Sequence, residues 1–312
     1  MNPLSAIFGA GVALRNAAYD HGVFKVRKLA RPVVSVGNIS VGGSGKTPFV
    51  IALGQLLKER GVEFDVLSRG YGRSSTEIAV VDANGSPTQF GDEPILIARK
   101  LSVPVIVGAD RYQAGLLAEQ RFASKLHLLD DGFQHRRLRR DFDIVLVQAS
   151  DLEDSLLPAG RLREPLSALR RADVAVSTPV TAVPGAAGVI WRIRREVLLD
   201  PPCLRAVAFC GLGRPAQFFS HLRQLSLDLA DTVCFPDHHG YTESDVARLL
   251  ARKASTGAAA FITTEKDVIN LGGLAGRLQP LQTAQLRLML GEPEQALSTL
   301  LSTLERRCGC RF

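Results

Sequence analysis

Residues 33–47 read VVSVGNISVGGSGKT. A β-branched run, Val33 to Val36, feeds a glycine-rich turn, and Gly45-Lys46-Thr47 stands where a helix is expected to begin. Each residue type has a part in that order. Glycines let backbone N–H groups close on phosphate oxygens, a lysine reaches the outer phosphates, a hydroxyl binds Mg²⁺, and the helix N-terminus adds favourable partial charge. In the pattern G-x-x-x-x-G-K-[ST] the first glycine falls on Ser40, and Gly42 and Gly43 keep the turn flexible beside it. The stretch predicts a phosphate cradle made of Ser40, Val41, Gly42, Gly43, Ser44, Gly45, Lys46 and Thr47, and therefore a nucleoside triphosphate as ligand.

Downstream, a helical stretch at 48–60 is followed by strand patterns at 64–67, 78–81, 103–107, 126–129 and 144–147, with helical patterns at 94–101 and 111–121. Such alternation predicts an α/β fold, a mostly parallel sheet flanked by helices on both faces, with ligands at the carboxyl ends of the strands. A Pro, Gly and Ala-rich stretch at 178–188 predicts a boundary. Two domains follow: a nucleotide-binding domain over 1–184, and a smaller α/β domain over 185–312 with strands at 189–193, 206–209 and 259–262 and helices at 216–225 and 243–253. A last helix at 293–307 is free to pack on either.

The chain has 312 residues, 46% of them hydrophobic, enough for two sizeable cores. Its net charge of +7 gathers in arginine clusters at 136–140, 161–171 and 192–195, which suit phosphates or anionic lipid. Aromatic interleaving, zinc spacing and recognition motifs are all missing, so nucleic acid is not expected as a partner. The five cysteines fit neither a zinc set nor a disulfide framework, as expected of reduced thiols in a cytosolic compartment. The apolar stretch 4–14 is followed, not preceded, by basic residues, unlike a signal peptide. It is also shorter than the roughly 20 apolar residues of a membrane span. Leu4, Ile7, Phe8, Gly11 and Leu14 recur at helical spacing near Arg15, Lys25, Arg27 and Lys28. Such a helix either lies on a membrane surface or docks on its own domain.

Residues 126–131, LHLLDD, make an apolar strand ending in two carboxylates. With Thr47 from the cradle, Asp130 and Asp131 predict a Mg²⁺ site of hard oxygen ligands. GDEP at 91–94 and FPDHHGY at 235–241 each precede a helix. By spacing alone Asp92 or Glu93 caps a helix and Asp237 with its histidines makes a turn, yet a carboxylate and an imidazole from two domains can also meet across a cleft as a general base. Arg69, Tyr71 and Arg73 follow a strand and face either solvent or a phosphate or sugar. TTEKD at 263–267 is similar to the base-reading element of some GTPases, but its Lys and Asp are adjacent, which weakens a guanine reading. The cradle alone leaves a kinase and a regulatory or assembly GTPase both open.

VSVGNISVGGSGKTP, SRGYGR, GDEP, LLDDGFQHRRLRRDFDIVLV, LLPAGRLREP, FPDHHGYT and TTEKD, in this order over nearly the whole chain, resemble the tetraacyldisaccharide 4'-kinase (lipid A 4'-kinase) family. The resemblance implies transfer of the ATP γ-phosphate to the 4'-hydroxyl of a tetraacyldisaccharide 1-phosphate, a lipid A precursor, at the cytoplasmic face of the inner membrane. It further implies two α/β domains closing over the nucleotide, an amino-terminal helix that touches the bilayer, and no obligate protein partner.

By the same resemblance, Ser40 to Thr47 would hold ATP, with Lys46 on the outer phosphates and Thr47, Asp130 and Asp131 on Mg²⁺. Gln134 and His135 would line the same site, and Arg163 and Glu164 would lie near the nucleotide. Asp92 would be the catalytic base, supported by His238, while Tyr71 and Arg111, with His135, would meet the lipid headgroup. Three places depart from the family's habit: Arg161 stands where proline is common, Asp151 to Ser155 lacks the usual glycine-asparagine signature, and Arg214 stands where asparagine is common. Ser40 keeps the small hydroxyl residue usual in the family.

Overall fold

The computed structural model describes residues 2–178, 183, 188–199 and 205–312. Helix α1 (Pro3–Asp20) opens under Asn2, whose side chain accepts the Leu4 N–H. Strand β1 (Val33–Asn38) leads through the cradle into α2 (Lys46–Glu59), and β2 (Phe64–Ser68) follows. Next come β3 (Ala79–Val80), α3 (Pro87–Phe90), α4 (Asp92–Leu101), β4 (Val105–Val107), α5 (Arg111–Arg121) and β5 (Leu126–Asp130). Then follow β6 (Phe142–Leu146), α6 (Ala149–Leu152), β7 (Val174–Ser177), β8 (Val189–Leu198) and β9 (Arg205–Cys210). The chain continues through α7 (Pro215–Gln224), β10 (Asp228–Cys234), α8 (Glu243–Thr256) and β11 (Ala260–Thr264). It closes with α9 (Glu265–Leu271), β12 (Leu281–Leu290) and α10 (Pro293–Cys308).

Among the described residues these strands form one sheet in the order β10-β9-β11-β12-β8-β7-β6-β1-β5-β2-β4-β3. The pairing is parallel except for β3 on β4 and β8 on β12. The α/β class and the mostly parallel sheet are thus as expected. The boundary placed at 184 and 185 lies outside the described residues. The strand patterning omitted β7, β10 and β12, for physical reasons. β7 is a four-residue run, short beside its neighbours. β10 is a sheet edge whose mixed sequence DLADTVC leaves most positions part-exposed, and β12 is half-buried, with an irregular alternation.

The two faces of β1 go to different cores, as the period of two requires. Val34 and Val36 pack with Phe49 and Leu53 of α2, Leu128 of β5, and Leu297, Leu300 and Leu304 of α10. Val33 joins Leu67, Ile106 and Leu129 on the opposite face. Each such fully buried side chain contributes roughly 1.5–3 kcal/mol, so β1 is clamped from both sides and its end is a fixed platform. The second half has a core of its own around Phe209, Phe235, Tyr241, Leu249 and Phe261, with Phe209 edge-on to the three other rings.

Gly37 has a specific task in β1. A Cβ there would lie 2.5 Å from the Cβ of Phe133, so glycine alone lets the loop after β5 close onto the strand end. That contact brings Asp130 to Gln134 beside the cradle.

Candidate active site

Gly42 and Gly45 both take φ of +89°, a conformation that costs glycine little and other residues much. Gly45 caps α2 without a side-chain hydrogen bond, so the first amides of that helix carry no capping side chain, as an anion-binding helix start needs. The cradle is braced by the 156–163 segment: Ser40 bridges Leu162, and the Val41 N–H donates to the Arg161 carbonyl at 2.8 Å. Lys46 Nζ donates to Asn38 Oδ1 at 3.1 Å and pairs with Asp131 at 3.3 Å.

Asp130 ends β5, buried, with Oδ2 accepting from the Ser68 hydroxyl at 3.1 Å. Its Oδ1 is buried and has no partner among the described residues. Burial first, then the nearby charges of Glu93 and Asp131, push this carboxyl far above the usual carboxylate range. Asp131 takes φ of +52° and pairs with Lys46 and, at 3.1 Å, with Arg163. Burial raises its pKa, but Lys46 and Arg163 outweigh that and hold it low. Thr47 is buried in the first turn of α2. The described residues contain no group of three or more His, Cys, Asp or Glu that would form a metal cage. A divalent ion completed by phosphate and water, as Mg²⁺ usually is, asks for no cage. An uncompensated buried carboxylate beside a buried hydroxyl fits such an ion.

At the start of α4, Asp92 is buried and meets His238 of the second half, with Nδ1 3.0 and 2.9 Å from its two carboxylate oxygens. Asn270 Nδ2 donates to Asp92 Oδ2 at 3.1 Å, and Lys266 lies 4.0 Å away, paired with Glu93 at 2.9 Å. Burial pushes Asp92 up, but the His238 hydrogen bond, the Lys266 and His238 charges and the Asn270 donor overcome it and bring the pKa to about 2. Burial pulls His238 down while Asp92 lifts it, with a net rise. The exposed ring of Tyr71 lies 5.1 Å from that of His238. Arg111 is buried, with its pKa drawn down to about 10 by burial and then by Arg69. His135 is held down at about 4 by burial and by Arg111. The Nε of Arg111 and both Nη atoms of Arg73 are buried without partners among the described residues. A cationic wall with spare donors results, next to Tyr71.

The family model described as tetraacyldisaccharide-1-P 4'-kinase matches residues 1–305. The chain belongs to this family. A tetraacyldisaccharide 4'-kinase of Koribacter versatilis is 49% identical, over 99% of this chain and 100% of its own length. That of Geobacter metallireducens is 42% identical, over 93% and 94%. A crystal structure of LpxK from Aquifex aeolicus in complex with ATP superposes with a TM-score of 0.79 at 35% identity, covering 96% of this chain and 97% of that one. The chain is therefore a lipid kinase of the tetraacyldisaccharide 4'-kinase type, and the GTPase alternative has no support among these relatives.

Lys46, Thr47, Asp130, Asp131, Gln134, Arg163 and Glu164 of this family member gather at the cradle, while Asp92, His238 and Tyr71 form a second group. Glu93 joins the two, since it pairs with Lys266 beside Asp92 and its charge acts on Asp130. Asp92 is the first residue of α4, under Gly91, and its Oδ1 accepts the Glu93 N–H at 2.8 Å, so it serves the helix start as well as His238. His239 turns elsewhere, to Asp245 at 3.0 Å and the face of Phe235. Glu164 is almost wholly buried and accepts from Asn16, Gln134 and Arg171.

The charged side chains of TTEKD are engaged within the protein. Asp267 accepts from the Gly211 N–H and the Tyr241 hydroxyl, anchoring two loops, while Lys266 reaches Glu93 and Asp92. Sequence reasoning missed Asn38, Lys266, Asn270, Arg195 and Gln148. Asn38 was detectable as the last residue before the cradle, and Lys266 as part of a conspicuous charged motif. Arg195, which donates to the Ser44 carbonyl at 3.2 Å, and Gln148, which donates to that of Gly43 at 3.2 Å and accepts from Arg214, carry no local signal.

Proposed function

We propose that the chain transfers the γ-phosphate of ATP to the 4'-hydroxyl of a tetraacyldisaccharide 1-phosphate, with the two groups of residues above as the donor and acceptor sides of one site. The observation that carries this division of labour is the contact of Asp92 with His238, joined to the cradle side through Glu93, which pairs with Lys266 and whose charge acts on Asp130. The loop Ser40 to Thr47 binds the ATP phosphates, Lys46 meets the outer ones, and Gln134, Arg163 and Glu164 flank the nucleotide. Thr47 and Asp130 would hold Mg²⁺, with Asp131 serving the same site while it orients Lys46 and Arg163. When bound, the ion neutralises charge on the phosphate oxygens. Asp92, ionised and aligned by Asn270, accepts the hydroxyl proton and hands it to His238, whose Nδ1 lies 3.0 and 2.9 Å from its oxygens and is unprotonated in the neutral tautomer that carries its proton on Nε2. Positioning and fixed charge supply most of the acceleration in such transfers. Tyr71, Arg111 and His135 meet the acceptor headgroup, where the spare guanidinium donors suit an anionic sugar phosphate.

Two domains, 1–184 and 185–312, close over the nucleotide in this proposal, with β7 and β8 paired where they meet. The chain works at the cytoplasmic face of the inner membrane, held peripherally by α1. Leu4, Ile7 and Leu14 of α1 and Val23 beyond it are each more than 60% exposed, and Arg15, Lys25, Arg27 and Lys28 stand beside them to attract anionic headgroups. No helix among the described residues is long and apolar enough to cross a membrane. The deciding experiment is incubation with γ-labelled ATP, Mg²⁺ and a tetraacyldisaccharide 1-phosphate in mixed micelles. Label should appear in the lipid phase; none, from folded protein that binds ATP, overturns the proposal.

A further inference from the structure

Helix α1 carries two faces with different duties. Ser5 is buried, its hydroxyl donating to the Leu156 carbonyl at 2.9 Å, and Asn16 lies eleven positions on, about 20° away around the helix. Ile7 and Leu14 lie roughly opposite and Leu4 about 100° to one side, and all three are exposed. The helix is thus tied to the body by a narrow polar stripe, and its apolar face is left for an anionic bilayer, to which the neighbouring basic residues are complementary.

Asn16 is the inner end of a path to the cradle. Its Nδ2 donates to Glu164 Oε2 at 2.9 Å, and Glu164 Oε1 accepts from Gln134 Nε2 at 3.2 Å. The same Nε2 donates to the Asn38 carbonyl at 2.8 Å, and Asn38 Oδ1 accepts from Lys46 Nζ at 3.1 Å. Arg15 adds a parallel tie, donating to the Gln134 carbonyl at 3.3 Å. A buried carboxylate needs all its donors. If α1 shifts, Glu164 loses Asn16, turns toward Arg171, and releases Gln134 and with it the orientation of Asn38 and Lys46.

We infer that Asn16 is a positioning residue through which the seating of α1 on a lipid surface tightens nucleotide binding. The inference rests on the nucleotide-binding and membrane-contacting roles proposed above. Linkage makes the effect reciprocal: nucleotide must strengthen lipid binding by the factor by which lipid strengthens nucleotide binding.

The test measures the affinity of the full-length chain for a non-hydrolysable ATP analogue with Mg²⁺, with and without saturating vesicles of phosphatidylethanolamine and phosphatidylglycerol. Vesicles should tighten binding by about fivefold, at the low end of site-to-site couplings. Asn16→Ala costs α1 no helix propensity. That variant should still sediment with the vesicles but lose the enhancement, and Gln134→Ala, remote from the lipid face, should lose it too. The double variant should then show no further loss, whereas effects that add would mean two independent sites. An affinity in the unsubstituted chain that ignores vesicles, or an Asn16→Ala chain that keeps the full enhancement, overturns the coupling while leaving the kinase assignment intact. Failure of the unsubstituted chain to bind the analogue at all overturns the nucleotide site and the coupling together.

Discussion

Two carboxylate–histidine pairs sit in this molecule, and they are almost alike as pairs. His127 Nδ1 lies 2.8 and 3.0 Å from the oxygens of Asp65, and His238 Nδ1 lies 3.0 and 2.9 Å from those of Asp92. Their settings differ. Asp65 and His127 are register partners on β2 and β5, both wholly buried, and the second nitrogen of His127 is taken by Glu119 at 3.3 Å. Asp92 and His238 come from the two halves of the chain, and His238 keeps 18% of its side chain exposed beside Tyr71. Pair geometry therefore does not distinguish the dyad proposed as catalytic from a structural ion pair. Partial exposure does, with a second nitrogen that makes no hydrogen bond among the described residues and lies 3.9 Å from Asp237.

The contrast can be broken most directly at the two ends. Asp92→Ala should lower kcat by about 10³-fold, the range of a lost general base, with ATP affinity nearly unchanged. Near-normal turnover would remove Asp92 from the chemistry. His127→Leu should do the reverse: it strands the Asp65 carboxylate in the core and costs roughly 3 kcal/mol of stability. Chemical denaturation checks that loss, with kcat per folded molecule preserved.

Smaller effects sharpen the comparison. Asn270→Ala removes one donor to the Asp92 carboxylate and should reduce kcat about tenfold, with the KM for ATP unmoved, since a charge-assisted hydrogen bond is worth roughly 1.5–3 kcal/mol. The pH dependence should differ in sign between the pairs. His238 must be neutral to take the proton, and its pKa is raised above 6.5. The rate should therefore climb with pH through a midpoint above that value, and His238→Gln should abolish the limb. His127 is also raised: burial lowers it, but Asp65 and Glu119 outweigh burial. Its stabilising contribution is complete below the unfolded value of 6.5 and fades as pH rises through the folded pKa. Denaturant midpoints across that window should fall in the parent chain and stay flatter in His127→Leu.

Local chemistry explains what was legible beforehand. The cradle, the Asp130-Asp131 pair and the parallel alternation each occupy a few consecutive residues, so strand, glycines, lysine and hydroxyl announce themselves in order. Asp92 and His238 were singled out by resemblance to a family, because their spacing alone reads as a helix start and a turn. β10 and β12 escaped because an edge strand and a half-buried antiparallel strand lack the continuous apolar run that marks β1 or β5. Arg195 was invisible for a different reason: on a strand, an arginine that reaches a loop 151 residues away has the same local pattern as one that reaches water.

By itself the sequence determined the phosphate loop, the acidic strand end, the α/β class and, through its motifs, the family. These depend on short-range geometry, in which neighbouring residues dictate backbone shape and chemistry together. Only the tertiary structure decided that His238 and not His239 meets Asp92, that Lys266 and Asn270 support that contact, that Glu164 is a buried hub, and that α1 ties its polar stripe to the cradle while exposing its apolar face. Those depend on which strand ends the sheet order brings together, and β-sheet pairing across more than a hundred residues leaves no trace in the spacing of any one segment.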